Sequence, residues 1–200
     1  ENLVDDVVAL LDAAGVEQAH VVGHDWGGAV AWAVASRRSA RVASLTALST
    51  PHPAALGEAV RYADQGRRST YMLAFQVPRL PEARLLADDG AGLRRALRSA
   101  GLAADRTEHY VDRLQEPGAL TAALAWYRAL PLGRGFGAGI VHVPTALVHG
   151  YTDPFFSAWG AAATRRYVRG PYRSIGLDAD HWLPESHPQV IADAVLSHLA

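Results

Sequence analysis

The sequence predicts an α/β fold with a mostly parallel sheet, helices on both faces and an inserted helical segment. The first observation behind this prediction is a series of short apolar runs that alternate with helical patterns, as strands buried on both faces do. The second is a long stretch, residues 53–139, in which helical patterns follow one another without a strand signal. The third is a hydrophobic fraction of 50% over 200 residues, which is enough for one substantial core. The predicted strands are Ala19–Gly23, Val42–Leu48, Pro144–His149 and Tyr172–Leu177.

The predicted helices have apolar residues at helical spacing and Pro, Gly or Asp near their ends. The first carries Leu3, Val7 and Leu10 on one face and stops at Gly15. Two prolines in the segment 49–53 end the second strand and precede the helical stretch. The predicted helices are Leu3–Ala14, Gly27–Ser36, Ala55–Gln65, Arg68–Phe75, Leu93–Ala100, Asp105–Gln115, Thr121–Arg128, Phe156–Tyr167 and Pro188–Leu199.

This order of elements divides the chain into three parts. Residues 1–52 and 140–200 form the two halves of an α/β core, and residues 53–139 form a helical cap, or lid, inserted between them. The chain opens at Glu1 with a helix and passes at once into a strand of central character. We therefore expect that the N-terminal strands of the sheet are missing from this sequence.

The composition argues against several classes of function. A formal net charge of -1 and a pI near 6.8 give no bulk attraction to nucleic acid or to an anionic membrane. The absence of cysteine excludes disulfides and thiolate chemistry and suits a cytoplasmic protein. No apolar run is long enough for a membrane span, and no group of His and carboxylate residues has the spacing of a metal site. We therefore expect neither a metal nor another cofactor.

Three residues with catalytic side chains follow three of the predicted strands. Asp25 follows the first strand, Asp153 the third and His181 the fourth, and sites in parallel sheets form beyond these carboxyl ends. The pattern Gly23-x-Asp25-x-Gly27 has the form of a nucleophile elbow, a sharp turn between a strand and a helix that needs small residues on both sides. Such a turn also presents the peptide N–H of Trp26 to a developing oxyanion. A second oxyanion donor is not identifiable in the sequence.

An aspartate at an elbow points to a particular chemistry. Attack of a carboxylate on an acyl carbon gives only an anhydride, whereas attack on a strained or activated sp3 carbon gives an ordinary ester. Epoxides and alkyl halides meet that requirement, and a histidine acting as general base would then direct water onto the ester. Two other interpretations stay open: Asp25 as an inert helix cap, and Asp178 or Asp180 as the partner of His181.

The elbow Gly23-His24-Asp25-Trp26-Gly27-Gly28, the pair Asp153-Pro154 and the pair His181-Trp182 carry a resemblance to a known family. The chain resembles an α/β-hydrolase of the epoxide hydrolase and haloalkane dehalogenase group over essentially its whole length. The segments Tyr71–Gln76 and Leu124–Arg128 are similar to the two epoxide hydrolase segments that each contain a lid tyrosine. The resemblance implies that Tyr71 and Tyr127 bind the epoxide oxygen and protonate it, with Asp25 as nucleophile, His181 as base and Asp153 as its acid.

The sequence therefore predicts hydrolysis of an epoxide to a vicinal diol, with a small apolar epoxide and water as the partners. Three alternatives remain. The first is a dehalogenase that uses the same Asp25, His181 and Asp153. The second is an incomplete hydrolase fold without activity. In the third, Tyr71 and Tyr127 are packing residues of the lid. We read His24, His52 and His149 as residues for shape and hydrogen bonding. A homodimer is left open.

Overall fold

A computed structural model describes residues 1–130 and 137–199 of the chain. The end of the predicted insertion, residues 131–136, and Ala200 lie outside the described residues. The strands are β1 (Ala19–His24), β2 (Val42–Leu48), β3 (Thr145–Gly150) and β4 (Tyr172–Leu177). The helices are α1 (Asn2–Ala13), α2 (Trp26–Arg37), α3 (Pro53–Tyr62), α4 (Gln65–Arg68), α5 (Tyr71–Ala74), α6 (Leu80–Ser99), α7 (Ala104–Gln115), α8 (Ala119–Ala129), α9 (Ala158–Thr164), α10 (Leu183–Ser186) and α11 (Pro188–Leu196). Short 3-10 helices occupy Ser39–Arg41 and Arg165–Tyr167.

The four strands form one parallel sheet in the order β1-β2-β3-β4. Each matches its predicted run to within one residue at either end. Helices cover both faces, because adjacent residues of β3 pack in opposite directions: Leu147 lies in a core cluster with Trp32 of α2, and Val148 in another with Ile191 of α11. The predicted α/β fold with a parallel sheet is confirmed. Among the described residues β1 pairs only with β2.

The chain separates into two compact units. The first unit is Glu1–Gly66 with Phe136–Ala200, and the second unit is Arg67–Gly135. The second unit therefore starts after Gly66, whereas the predicted insertion starts at residue 53.

Helix α3 belongs to the first unit for a physical reason. The ring of His52, which caps α3, accepts a hydrogen bond from the N–H of Ala54 and stacks on Tyr167 with ring centroids 4.7 Å apart. Further along, the amide of Gln65 donates to the Phe155 carbonyl, with a nitrogen to oxygen distance of 2.8 Å. These contacts join segments about 90 to 115 residues apart in sequence. The role of the second unit as a cap remains a prediction.

The helices of the second unit differ most from the predicted ones. The predicted helix Arg68–Phe75 is two short turns, α4 and α5, and α6 begins 13 residues before the predicted start at Leu93. The residues 87–90 within α6 have non-helical backbone angles, including a φ of 77° at Gly90. Asp88 and Asp89 also have positive φ, which aspartate tolerates better than most residues. A core of Leu93, Val111, Leu120 and Leu124 holds the unit together.

Candidate active site

Asp25 occupies the turn between β1 and α2. Its φ of 53° and ψ of -121° place a residue with a side chain in a backbone region that is sparsely populated, at a cost of about 1 to 3 kcal/mol. The Trp26 N–H donates to Asp25 Oδ2, with a nitrogen to oxygen distance of 2.7 Å. The threonine hydroxyl of Thr50 donates to the Asp25 carbonyl at 2.8 Å and ties the turn to the end of β2. The strained turn therefore holds its carboxylate on a helix N-terminus.

Close packing explains why two positions of the elbow, Gly23 and Gly28, are occupied by glycine. A Cβ atom on Gly23 would lie 2.4 Å from the Gly27 carbonyl oxygen, and one on Gly28 would lie 2.8 Å from Cβ of Thr50. A Cβ on Gly27 would meet nothing within 4 Å. The predicted requirement for small residues on both sides of Asp25 therefore falls on Gly23 and Gly28. The prediction that Gly27 must be small was wrong.

The structure brings Asp25, His181 and Asp153 into one line of hydrogen bonds. Nε2 of His181 lies 3.2 Å from Asp25 Oδ1, and Nδ1 of His181 lies 3.0 Å from Asp153 Oδ2. The side chains of His181 and Asp153 are 4% and 2% exposed, whereas that of Asp25 is 32% exposed. Asp25 is therefore accessible to a small molecule, while the side chains of His181 and Asp153 behind it are shielded from water.

The aspartate that contacts the imidazole of His181 is Asp153. Asp178 and Asp180, which are closer in sequence, do not contact it. The second carboxylate oxygen of Asp153, Oδ1, accepts from the N–H groups of Phe155 at 2.7 Å and Phe156 at 3.1 Å. Asp180 instead accepts from the N–H of Trp182 at 3.2 Å, and Asp178 is exposed. Asp153 follows β3 and His181 follows β4, so the parallel sheet brings the two loops together.

A close approach of the backbone keeps these two loops adjacent. A Cβ on Gly150, the last residue of β3, would lie 2.2 Å from the carbonyl oxygen of Ala179. Tyr151 and Thr152 donate their N–H groups to the carbonyls of Leu177 and Ala179 at 2.8 and 3.1 Å. The carboxylate and imidazole are therefore set by backbone contacts as well as by their own hydrogen bond.

The two carboxylates strongly favour the protonated form of His181. Burial lowers the pKa of His181, but the hydrogen bonds and negative charges of Asp153 and Asp25 outweigh it and raise this pKa from 6.5 to about 9. For Asp25, burial raises the pKa, and the hydrogen bond and charge of His181, with the Trp26 N–H, bring it below its ordinary value. Near neutral pH Asp25 is therefore a carboxylate and His181 an imidazolium.

This arrangement predicts a loss of stability at alkaline pH. Because the pKa of His181 is raised on folding, its stabilising contribution of a few kcal/mol is complete below the unfolded value of 6.5 and is lost as pH rises through about 9. We expect the melting temperature to fall by roughly 5 to 10 °C between pH 6.5 and pH 9.5. Circular dichroism melts of the wild type and of His181→Gln across this range check the prediction. An equal fall in the variant would show that another group is responsible.

Two residues near the site were not identified from the sequence. Ser49 has a φ of 62°, and its hydroxyl donates to the His181 carbonyl at 2.9 Å. Thr50 holds the elbow as described above. Both follow β2, which is the only sequence signal they carry, because the groups they contact are backbone carbonyls.

The three histidines that we interpreted as residues for shape and hydrogen bonding lie in the first unit. Nε2 of His24 lies 2.9 Å from the His181 carbonyl oxygen, and Nε2 of His52 lies 3.0 Å from the Gly139 carbonyl oxygen. Nδ1 of His149 is buried and has no hydrogen-bond partner within residues 1–130 and 137–199. His24 and Ser49 thus contact the same carbonyl and hold the backbone of the loop that contains His181.

Tyr71 and Tyr127 lie close to each other in the second unit. Their ring centroids are 5.8 Å apart in an edge-to-face arrangement. Phe75 contacts both rings, with centroid distances of 5.5 Å to Tyr71 and 4.9 Å to Tyr127. The two segments that resemble the lid segments of epoxide hydrolases therefore meet through their tyrosines.

The described part of the chain contains neither a metal-binding cluster nor a helix suited to a membrane. Within residues 1–130 and 137–199, no group of His, Asp and Glu side chains is arranged to hold a metal ion. In the same ranges no helix has the length and apolar character needed to cross a membrane.

Comparison with known proteins places the chain in a family. Residues 1–188 match the model of the alpha/beta hydrolase fold family. The chain is 34% identical to the AB hydrolase superfamily protein YfhM of Bacillus subtilis, covering 100% of this chain and 72% of that protein. It is also 34% identical to Epoxide hydrolase 3 of Xenopus tropicalis, over 96% of this chain but only 55% of that protein. A crystal structure of Bacillus megaterium epoxide hydrolase in complex with an inhibitor superposes with a TM-score of 0.85 at 24% identity, over 98% of this chain and 74% of that one. Epoxide hydrolase A of Mycobacterium tuberculosis is 31% identical, over 99% of this chain and 74% of that protein. The chain therefore belongs to the α/β-hydrolase fold family, as an epoxide hydrolase-like member.

Proposed function

We propose that the chain hydrolyses an epoxide to a vicinal diol through a covalent ester on Asp25. The observation that carries this proposal is the line of hydrogen bonds that joins Asp25, His181 and Asp153. The Trp26 N–H donates to Oδ2 of Asp25, the carboxylate oxygen that does not face His181. Together these groups supply a nucleophile, a base, an acid for the base and an oxyanion donor. Relatives that are named epoxide hydrolases support the choice of substrate class.

In the first step Oδ1 of Asp25 attacks an epoxide carbon, and the bond from that carbon to the ring oxygen breaks. The released alkoxide is a strong base and needs a proton. We assign that proton to the tyrosine pair, because a phenol of pKa near 10 can hydrogen-bond the ring oxygen and release its proton as the charge develops. The pairing of Tyr71 and Tyr127 supports this assignment and favours an epoxide over an alkyl halide, since a departing halide needs no proton.

In the second step water attacks the carboxyl carbon of the ester. His181 takes a proton from this water, and Asp153 stabilises the resulting imidazolium. The negative charge develops on Oδ2 of Asp25, which already accepts the Trp26 N–H at 2.7 Å. When the tetrahedral intermediate collapses, the diol leaves with the proton held by His181. The acid formed on Asp25 then gives its proton to Nε2 of His181, 3.2 Å from Oδ1 in the free site, which restores the starting carboxylate and imidazolium.

The charge of Asp25 also controls when His181 acts as a base. In the free site two carboxylates raise the pKa of His181 to about 9, so the ring is protonated at neutral pH. Ester formation removes the charge of Asp25, and with it one of the two groups that raise this pKa. After the ester has formed, the imidazolium can therefore pass its proton through solvent to the phenolate left by the first step, and the neutral imidazole then accepts a proton from water.

A variant that lacks the base tests the proposal. With His181→Gln we expect the ester to form and to accumulate, because water is no longer activated. After incubation with an aryl epoxide, the intact mass should rise by one equivalent of epoxide, and peptide mapping should place the adduct on Asp25. Turnover should fall by roughly 10³-fold or more. The measurement requires protein that shows a cooperative thermal unfolding transition, so that an unfolded chain is not mistaken for an inactive one.

His187→Gln is the matched control, because His187 lies in the next loop and its ring contacts the hydroxyl of Ser186. This control should turn over at the wild-type rate and accumulate no adduct. If the folded His181→Gln chain acquires no adduct from the epoxide, the covalent mechanism is wrong. Adduct formation from an alkyl bromide but not from the epoxide would replace the proposed activity with dehalogenation.

A further inference from the structure

Arg128 makes an unusually complete set of contacts within the second unit. It follows Tyr127 on α8, and its guanidinium donates to both carboxylate oxygens of Glu82, at 2.7 and 2.9 Å. The same group donates to the carbonyl oxygens of Phe75 at 3.0 Å and Val77 at 3.3 Å. The side chains of Arg128 and Glu82 are only 24% and 14% exposed. One side chain thus joins α8 to the segment 75–82 at four acceptor atoms.

The segment 75–82 contains a residue in a strained backbone conformation. Between the end of α5 at Ala74 and the start of α6 at Leu80, the chain forms no regular helix. Arg79 within it has a φ of 65°, a left-handed conformation that costs a residue with a side chain roughly 1 kcal/mol. The contacts of Arg128 at Phe75, Val77 and Glu82 bracket this strained residue. They therefore favour one conformation of the connection.

This connection contacts the segments that carry both tyrosines. Tyr71 opens α5, and Phe75, at the end of that helix, packs its ring against both tyrosine rings. The amide of Gln76 donates to the Tyr127 carbonyl at 2.8 Å and to the Met72 carbonyl at 3.2 Å. The guanidinium of Arg128 and the amide of Gln76 therefore join the short helix that carries Tyr71 to the helix that carries Tyr127.

We propose that Arg128, held by Glu82, is a positioning residue that sets the separation of Tyr71 and Tyr127. The inference rests on the proposed function in one respect, namely that these two phenols activate the epoxide oxygen. The planar guanidinium has donors on all three nitrogens and meets a carboxylate and two carbonyls at once, which the single ammonium of lysine does not reproduce. The guanidinium also holds the pKa of Glu82 at about 2, so the pair stays ionised over the pH range in which a phenol works.

The first test observes the tyrosines directly and does not depend on activity. The full chain is labelled with 3-fluorotyrosine, and the fluorine NMR signals of Tyr71 and Tyr127 are assigned with Tyr71→Phe and Tyr127→Phe. We expect Arg128→Met to shift or broaden both signals and Arg128→Lys to do the same to a smaller extent. Glu82→Gln keeps an acceptor oxygen for the guanidinium and should give the smallest change.

Arg94→Met is the matched control. Arg94 lies in the same unit, is 27% exposed and donates through Nε to Glu108 at 2.7 Å, joining α6 to α7. Its loss removes a comparable ion pair without touching the segment 75–82. The two tyrosine signals should be unchanged in this variant. Equal changes in Arg94→Met and Arg128→Met would show a general loosening of the unit and would overturn the proposed role.

The second test separates the two chemical steps. In the His181→Gln background, the rate of ester formation should fall about 10- to 100-fold on adding Arg128→Met, because a displaced phenol no longer meets the ring oxygen. Hydrolysis of the ester, followed in single turnovers with His181 intact, should change less than about 2-fold. A parallel fall in both steps would assign Arg128 a structural role only.

The outcomes for Arg128 and for the proposed function are distinguishable. If the His181→Gln chain itself forms no ester, the proposed function fails, and the fluorine signals alone decide whether Arg128 positions the tyrosines. If that chain forms the ester but Arg128→Met changes neither the signals nor the rate of its formation, the function stands and the positioning role is wrong.

Discussion

Replacing Asp25 with alanine is expected to abolish ester formation and to lower the turnover of an epoxide by at least about 10⁴-fold. Of Asp25, His181 and Asp153, only Asp25 has a carboxylate that is accessible to a substrate. The carboxylate of Asp153 lies behind His181, and its side chain is 2% exposed. No other group in the line of hydrogen bonds can reach the substrate carbon. Intact mass after incubation with an aryl epoxide and the rate of diol formation measure the effect.

Asp180→Ala provides the matched control for this loss. Asp180 is a neighbour of His181 in sequence, but its carboxylate accepts the N–H of Trp182 and does not touch the imidazole. Its replacement should leave the ester on Asp25 and change the rate by less than about 3-fold. Retention of an adduct in the Asp25→Ala chain, mapped to another carboxylate, would contradict the assignment of the nucleophile. It would also return Asp25 to the role of a helix cap.

The sheet and the proximity of Asp25, His181 and Asp153 were predictable from the positions of apolar runs and of the residues that follow them. A continuous apolar run between helical patterns is typical of a parallel strand, and all four runs became strands. Strand ends in a parallel sheet meet at one edge, so the position of Asp25, Asp153 and His181 after their strands was enough to predict that they lie together. Their distances could not be predicted, because they depend on the approach of Gly150 to Ala179 across the loops.

The parts that were missed depend on contacts between distant segments. Helix α3 belongs to the first unit because of His52 and Gln65, whose partners are about 90 to 115 residues away. The interruption of α6 has a local cause instead, because Asp88, Asp89 and Gly90 have positive φ, which Asp and Gly tolerate better than most residues. The role of Arg128 carried no signal in the sequence, because two of its four acceptor atoms are backbone carbonyl oxygens and the other two belong to Glu82, 46 residues away.

The elbow offers a second large expected effect, on folding rather than on chemistry. In Gly23→Ala the new Cβ would lie 2.4 Å from the Gly27 carbonyl oxygen and 2.9 Å from Cβ of Ala31. Both distances are too short for non-bonded atoms. Because the first contact is to a backbone atom, β1 and α2 must move apart. We expect a loss of about 3 to 5 kcal/mol in the free energy of unfolding, measured by urea denaturation and followed by circular dichroism.

Gly27→Ala tests whether the effect of Gly23→Ala comes from steric crowding or from any side chain added to this turn. Gly27 lies in the first turn of α2, where a Cβ meets nothing within 4 Å. Alanine also forms helices better than glycine, by up to about 1 kcal/mol, so this variant should be as stable as the wild type or slightly more stable. It should also retain ester formation on Asp25. If both variants lost stability equally, the packing of β1 against α2 would not explain the elbow, and the strained φ of Asp25 would have to be maintained by Trp26 and Thr50 instead.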